Sequence, residues 1–237
     1  MRTRLALIVP ALALAVLVSG CTGDDPKQST TELSKRLDAA EKAIADAKSL
    51  KVSLTTDQVP AGVSGLKSAT GVGTHQPAFQ GKVSVVSGGA SIGADVVATD
   101  GKVYAKTGFA PVFLTINPST LKAPDPAALV GRPGEGLATI LGETTALKQG
   151  KRSRDGSDVL TTISGTLDGR VVQRYLETAD RAGDFSVTYR LDEDDVLRDA
   201  KITGPFYAGS PDVTYVVRLT PSAKSVSIEP PKRVGGS

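Results

Sequence analysis

The chain has 237 residues, with 28 Lys and Arg against 25 Asp and Glu and a formal net charge of +3. Arg2 and Arg4 carry two of those charges, and no basic patch remains that would suit a nucleic acid. A single cysteine and a single histidine exclude both a disulfide and a Cys/His zinc centre, so the fold has to hold by apolar burial.

Arg2 and Arg4 precede an apolar run, Leu5 to Val18, that is broken by Pro10 and ends in Val18-Ser19-Gly20-Cys21. A charged start, a short apolar stretch and small residues at the cut read as a secretory signal over residues 1–20. The run is too short for a comfortable membrane span of ~20 residues. Small residues directly before the one cysteine make a lipobox, so Cys21 is the expected lipidation site. Acyl chains on it, each methylene worth ~0.8 kcal/mol, would hold the protein on the outer face of the cytoplasmic membrane.

Residues 21–30 read as a lipidated, flexible stalk. Ser29-Thr30-Thr31-Glu32 fits a capping box. The helix after it is expected to reach about residue 49, with Leu33, Leu37, Ala40, Ile44 and Ala47 on one face. Val and Thr content with frequent Gly then favours antiparallel strands. Val52 and Leu54 alternate with polar neighbours, 66–74 reads as a strand, and Val83 and Val85 alternate with Lys82 and Ser84. Gly88-Gly89 and Asp100-Gly101 are hairpin turns. Between them Ile92, Ala94, Val96 and Ala98 mark one face of a strand, and Val103-Tyr104-Ala105 returns. Strands joined by such tight turns form an antiparallel meander.

Residues 109–134 carry Pro111, Pro118, Pro124, Pro126 and Pro133 with scattered apolar side chains, and read as a functional loop or lid. Leu137, Ile140 and Leu141 suggest a helix after Gly136. Strands are expected at 146–152 and 158–167, a short helix at 170–178, and strands at 185–191, 196–203 and 214–219. A further edge strand is expected at 225–228, and residues 230–237 read as a disordered tail. Residues 31–229 thus make one domain.

Signals for chemistry are poor. Gly89-Ala90-Ser91-Ile92-Gly93 matches a nucleophile elbow, but a strand follows it where a helix is required, and His75 lies upstream. His75 reads as an exposed turn residue. Asp192-Glu193-Asp194-Asp195 lacks the glycine and the distal glutamate of a calcium loop and reads as a charged hairpin tip. No catalytic set, cofactor loop or metal site emerges, so the expectation is a protein that is not an enzyme. Strands rich in Val, Ala, Ile and Gly either pack a plain core or leave an apolar space for a ligand.

Several stretches resemble the LppX/LprA/LprF/LprG lipoproteins of mycobacteria and other actinobacteria. They are the lipobox, Ala45-Asp46-Ala47-Lys48-Ser49-Leu50-Lys51, Gly81-Lys82-Val83-Ser84-Val85, Gly88 to Val97, Asp100-Gly101-Lys102-Val103-Tyr104-Ala105, Pro133-Gly134-Glu135-Gly136-Leu137-Ala138 and Ile163-Ser164-Gly165-Thr166-Leu167. The resemblance implies an α+β fold: a strongly curved antiparallel sheet with helices over its concave face, a half-barrel with a hydrophobic cavity like the Lol carriers. It implies binding of multi-acylated lipids, glycolipids or lipoglycans and their carriage across the envelope, in one branch together with a major-facilitator efflux pump. Val83 and Val85 then match a cavity-lining strand, with Ile92, Ala94 and Val96 on the next. Val52 and Leu54 join the lining, and Leu137, Ile140 and Leu141 sit near the mouth. Residues 106–129 depart from the family pattern. The rival reading is an envelope interaction module with a filled core that tethers a partner protein.

Overall fold

The computed structural model describes residues 27–232 and 234–235; the signal segment and Cys21 lie outside the described residues. The first helix, α1 (Thr30–Ala45), starts at the capping box. The Ser29 N–H donates to the Glu32 carboxylate at 2.7 Å, and the Glu32 N–H donates to Ser29 Oγ at 3.3 Å. Leu33, Leu37, Ala40 and Ile44 are its buried face, as the spacing predicts. The helix is shorter than expected because the Lys48 N–H is taken by Ser222 O at 3.0 Å, which draws the chain into the sheet.

The meander follows as β1 (Ser49–Thr56), β2 (Gly65–Thr74), β3 (Ala78–Ser87), β4 (Ala90–Thr99) and β5 (Lys102–Thr107). Gly88 and Gly89 (φ 58° and 79°) and Asp100 and Gly101 (φ 52° and 68°) turn it, in the left-handed backbone that tight hairpins need. A short edge strand, β6 (Leu114–Ile116), and a 3-10 turn at Pro118–Leu121 come next. Then α2 (Pro126–Val130), which the Pro-rich reading missed, starts at Asp125, whose carboxylate accepts from the Ala127 N–H at 2.9 Å. The helix expected after Gly136 is a single 3-10 turn, Leu137–Ile140, and β7 (Thr145–Gln149) follows it. The rest is β8 (Ser153–Asp155), β9 (Asp158–Asp168), α3 (Gly169–Gln173), β10 (Asp184–Leu191), β11 (Leu197–Gly204) and β12 (Val213–Ser222).

All twelve strands join one sheet in the order β6-β5-β4-β3-β2-β1-β12-β11-β10-β9-β7, with β8 also on β9. Every strand pair in it is antiparallel. The sheet curls but does not close, since β6 and β7 stay unpaired with each other. One face of the sheet is buried, as Leu50, Val52 and Leu54 of β1 show, except at β6, β7 and β8, which bury no residue. Over that face lie α1, packed on β7, β12 and the 137–140 turn, and α2, packed on β2, β3 and β4.

Residues 225–228 form no strand. Ser49 Oγ donates to Lys224 O at 2.8 Å and Thr99 Oγ1 donates to Ile228 O at 3.4 Å, so hydroxyl groups, not a strand partner, hold this stretch. Within the tail, Val234 bridges to Phe113, whose carbonyl accepts from the Gly235 N–H at 2.8 Å. The acidic run is a hairpin tip: Asp192 Oδ1 accepts from the Asp194 and Val196 N–H groups, and Asp195 has φ 59°. Ser91 opens onto β4, where its hydroxyl lies 2.9 Å from that of Ser84 on β3.

Candidate lipid-binding site

The small residues of β2 and β3 do not leave a void beneath them. Gly71 faces Gly81 across the strands, and the Phe79 ring lies over both, 2.7 and 2.8 Å from where their Cβ atoms would stand. The missing side chains are what admit the ring. Val130 of α2 takes the place in front of Gly73 in the same way.

The apolar cavity lies further round the sheet. Leu54 of β1, Leu66 of β2, Ile202 of β11 and Tyr215 and Val217 of β12 form its floor. Pro124, Leu129, Leu137, Ile140, Val172, Tyr175 and Leu176 cover it, all from the segments between β6 and β10. It exposes no polar surface and measures about 40 Å³. A drug-sized ligand needs ~300 Å³ or more, so any ligand of that size would have to part the cover.

The phenols around this space are paired. The Tyr215 hydroxyl donates to Leu66 O and lies 2.8 Å from that of Tyr207. Tyr189 reaches Thr144 Oγ1 at 2.7 Å and Ile140 O at 3.2 Å. Burial raises the pKa of all three above that of free tyrosine. They stay neutral donors and bring no charge into the space.

Above the cover run two adjoining open recesses of about 450 and 520 Å³, each lined by both polar and apolar groups. They share Gly101, Lys102, Asp125, Ala128, Arg174 and Tyr175. Arg174 pairs with Glu143 and stacks 5.8 Å from the Tyr175 ring centre. Tyr175 donates its hydroxyl to Gly136 O at 2.5 Å, and Thr139 Oγ1 lies 2.7 Å from the same phenol oxygen. Burial is the main cause that raises this phenol's pKa too.

The residues singled out in the sequence divide among three places. Leu54, Leu137 and Ile140 line the apolar cavity. Val52, Val85, Val96 and Leu141 are buried in the surrounding core. Val83 and Ala94, partners across β3 and β4, are half-buried against that core and border a separate open depression with Thr70, Lys82, Asp95 and Lys106. Ile92 is 38% exposed. Of the expected lid, Pro124 and Leu129 cover the cavity, whereas Phe109 is fully exposed.

Tyr215 and Val217 went unassigned to the lining, although their alternation with Leu219 marks the face that reaches it. Tyr175 and Leu66 carry no signal of their own. His75 is not an exposed turn residue: its ring is half-buried, with Nδ1 3.0 Å from Gly131 O and Nε2 2.9 Å from Ile44 O. The contact joins α2 to α1 across a distance in sequence that no local pattern reports. Among the described residues no group of three or more His, Cys, Asp or Glu is placed to hold a metal ion, and no helix is long and apolar enough to cross a membrane.

A curled, open, all-antiparallel sheet with short helices over an apolar cavity fits the family named by the sequence motifs, and a family model decides it. The LppX_LprAFG lipoprotein model matches residues 32–228. The chain belongs to the LppX_LprAFG lipoprotein family. Its fold is similar to that of LprF from Mycobacterium bovis, with a TM-score of 0.67 at 17% identity over 85% of this chain and 98% of that one. It is also similar to LppX from Mycobacterium tuberculosis, with a TM-score of 0.58 at 16% identity over 85% of this chain and all of that one. No curated protein matches the chain in sequence.

Proposed function

We propose that this LppX_LprAFG lipoprotein is a non-catalytic carrier of multi-acylated lipids or glycolipids, tethered through Cys21 to the outer face of the cytoplasmic membrane. The observation that carries this reading is the cavity itself: a space with no polar surface, closed on one side by the sheet and on the other by short, loosely connected segments. Each methylene moved into it from water gains ~0.8 kcal/mol. From a bilayer the net gain is near zero, so loading and release both run, and direction comes from a partner such as a major-facilitator pump or from consumption downstream. Loading widens the cavity from Leu54 along the same face of the sheet towards Val52, Val85 and Val83, where the half-buried Val83 and Ala94 leave room.

The small present volume favours a second reading, an interaction module with a filled core. The wholly exposed Phe109 would then be part of its contact surface.

Native mass spectrometry of the chain made in an actinobacterial host separates the two. The expected result is a mass excess of lipid size that organic solvent removes and that fragments to fatty acids. The Val83→Trp variant should lose most of it at an unchanged melting temperature, because Val83 is only half-buried against the core and an indole there would take the space that loading opens. A clean apo mass that persists after incubation with diacyl and triacyl lipids would favour the filled core. Full lipid content in the variant would remove Val83 from the lining.

A further inference from the structure

The floor of the cavity is a hydrogen-bonded ladder. Leu54, Leu66, Ile202, Tyr215 and Val217 sit on strands paired on both sides, so no chain enters there without breaking sheet. The cover is different. Its segments are a 3-10 turn, two five-residue helices and connections between them. Among its residues Tyr175 alone borders the cavity and both mixed recesses.

Its chemistry suits that boundary. The ring faces the apolar side and the hydroxyl finds polar partners, the usual arrangement of a tyrosine between wet and dry surroundings. Through Gly136 O and Thr139 Oγ1 the hydroxyl pins the turn that carries Leu137 and Ile140, both lining residues. Arg174 next to it is held by Glu143 at the far end of that same segment. Gly136 precedes the turn at φ 75°, a backbone conformation that glycine adopts without strain.

We propose that acyl chains enter the cavity from the groove between Lys102 and Arg174, and that Tyr175 is the gate on that route. The proposal rests on the carrier reading. It adds the place of entrance and the residue that limits it. When the phenol releases Gly136 and Thr139, the 137–140 turn swings away and the tail of an amphiphile passes while its head stays in the groove.

The chain has no tryptophan. Phe206→Trp, an aromatic exchange at the cavity wall, therefore places a single reporter there. The full chain is reconstituted in phosphatidylcholine vesicles and mixed with 9,10-dibromostearate, whose bromines quench an indole only on contact. In stopped flow, Tyr175→Phe should speed quenching several-fold, up to about tenfold for the loss of the hydroxyl's bonds. Thr139→Ala, which removes the other hydroxyl of that contact, should shift the rate in the same direction. Tyr104→Phe, on β5 and bordering neither the cavity nor the recesses, should leave it unchanged. Quenching of the parent chain with no acceleration in either lid variant overturns the gate and leaves the carrier standing. Equal acceleration in Tyr104→Phe also overturns it, because general loosening would then be the cause. A parent chain that dibromostearate never quenches overturns the carrier reading and the gate together.

Discussion

Val130 stands where a side chain on Gly73 would have to go. Gly73 is on β2 and Val130 ends α2, so the absence of one Cβ lets the helix rest directly on the sheet. The contact fixes one end of the cover that also carries Leu129 over the cavity.

Gly73→Ala should therefore destabilise the protein by about 1–3 kcal/mol, the usual cost of overfilling a packed interior. Val130→Ala in the same chain should recover part of that loss. Urea unfolding of the two single variants and the double reads the coupling. Strict additivity would mean that the two sites do not press on each other.

His75 ties α1 to α2 through the carbonyls of Ile44 and Gly131. A neutral imidazole donates to one of them and an imidazolium to both. His75→Ala leaves both carbonyls to find other partners, and should cost about 1–3 kcal/mol. Hydrogen exchange should quicken in α2 and in the last turn of α1. Exchange that stays as slow as in the parent chain would make the ring a bystander.

Glu41 on α1 titrates above a free glutamate, first because burial disfavours its charge, and also because Asp38 and Glu143 are near. The folded state therefore holds this proton more tightly than the unfolded chain. Its contribution is present below the ordinary glutamate pKa and is lost as pH rises through the higher folded value. Glu41→Gln should thus stabilise the protein at pH 7 relative to its effect at pH 4. Melting curves at the two pH values show it; a pH-independent difference would sink the argument.

Much of the fold was legible because it is local. The capping box, the apolar face of α1 and the glycine-bearing hairpins depend on neighbours within a few residues, and each appears where its pattern placed it. The errors fall where distant groups compete for the same backbone. α1 stops early because Ser222 takes the Lys48 N–H, and 225–228 is no strand because hydroxyls hold the carbonyls at its two ends, Ser49 that of Lys224 just before it and Thr99 that of Ile228.

The sequence by itself determined an antiparallel sheet, since period-two alternation and turn chemistry act along the chain, and its motifs carried the resemblance to a lipoprotein family that implied the curvature. Only the tertiary structure decided where the apolar space lies. Alternation says which face of a strand turns inward, but not what stands opposite it. The Phe79 ring fills the gap before Gly71 and Gly81, and Val130 fills that before Gly73. The remaining cavity opens instead beneath Tyr175 and Leu137, over residues of β1, β2, β11 and β12 far apart in the chain. Volume is a property of both walls at once, and only folding brings the second wall into place.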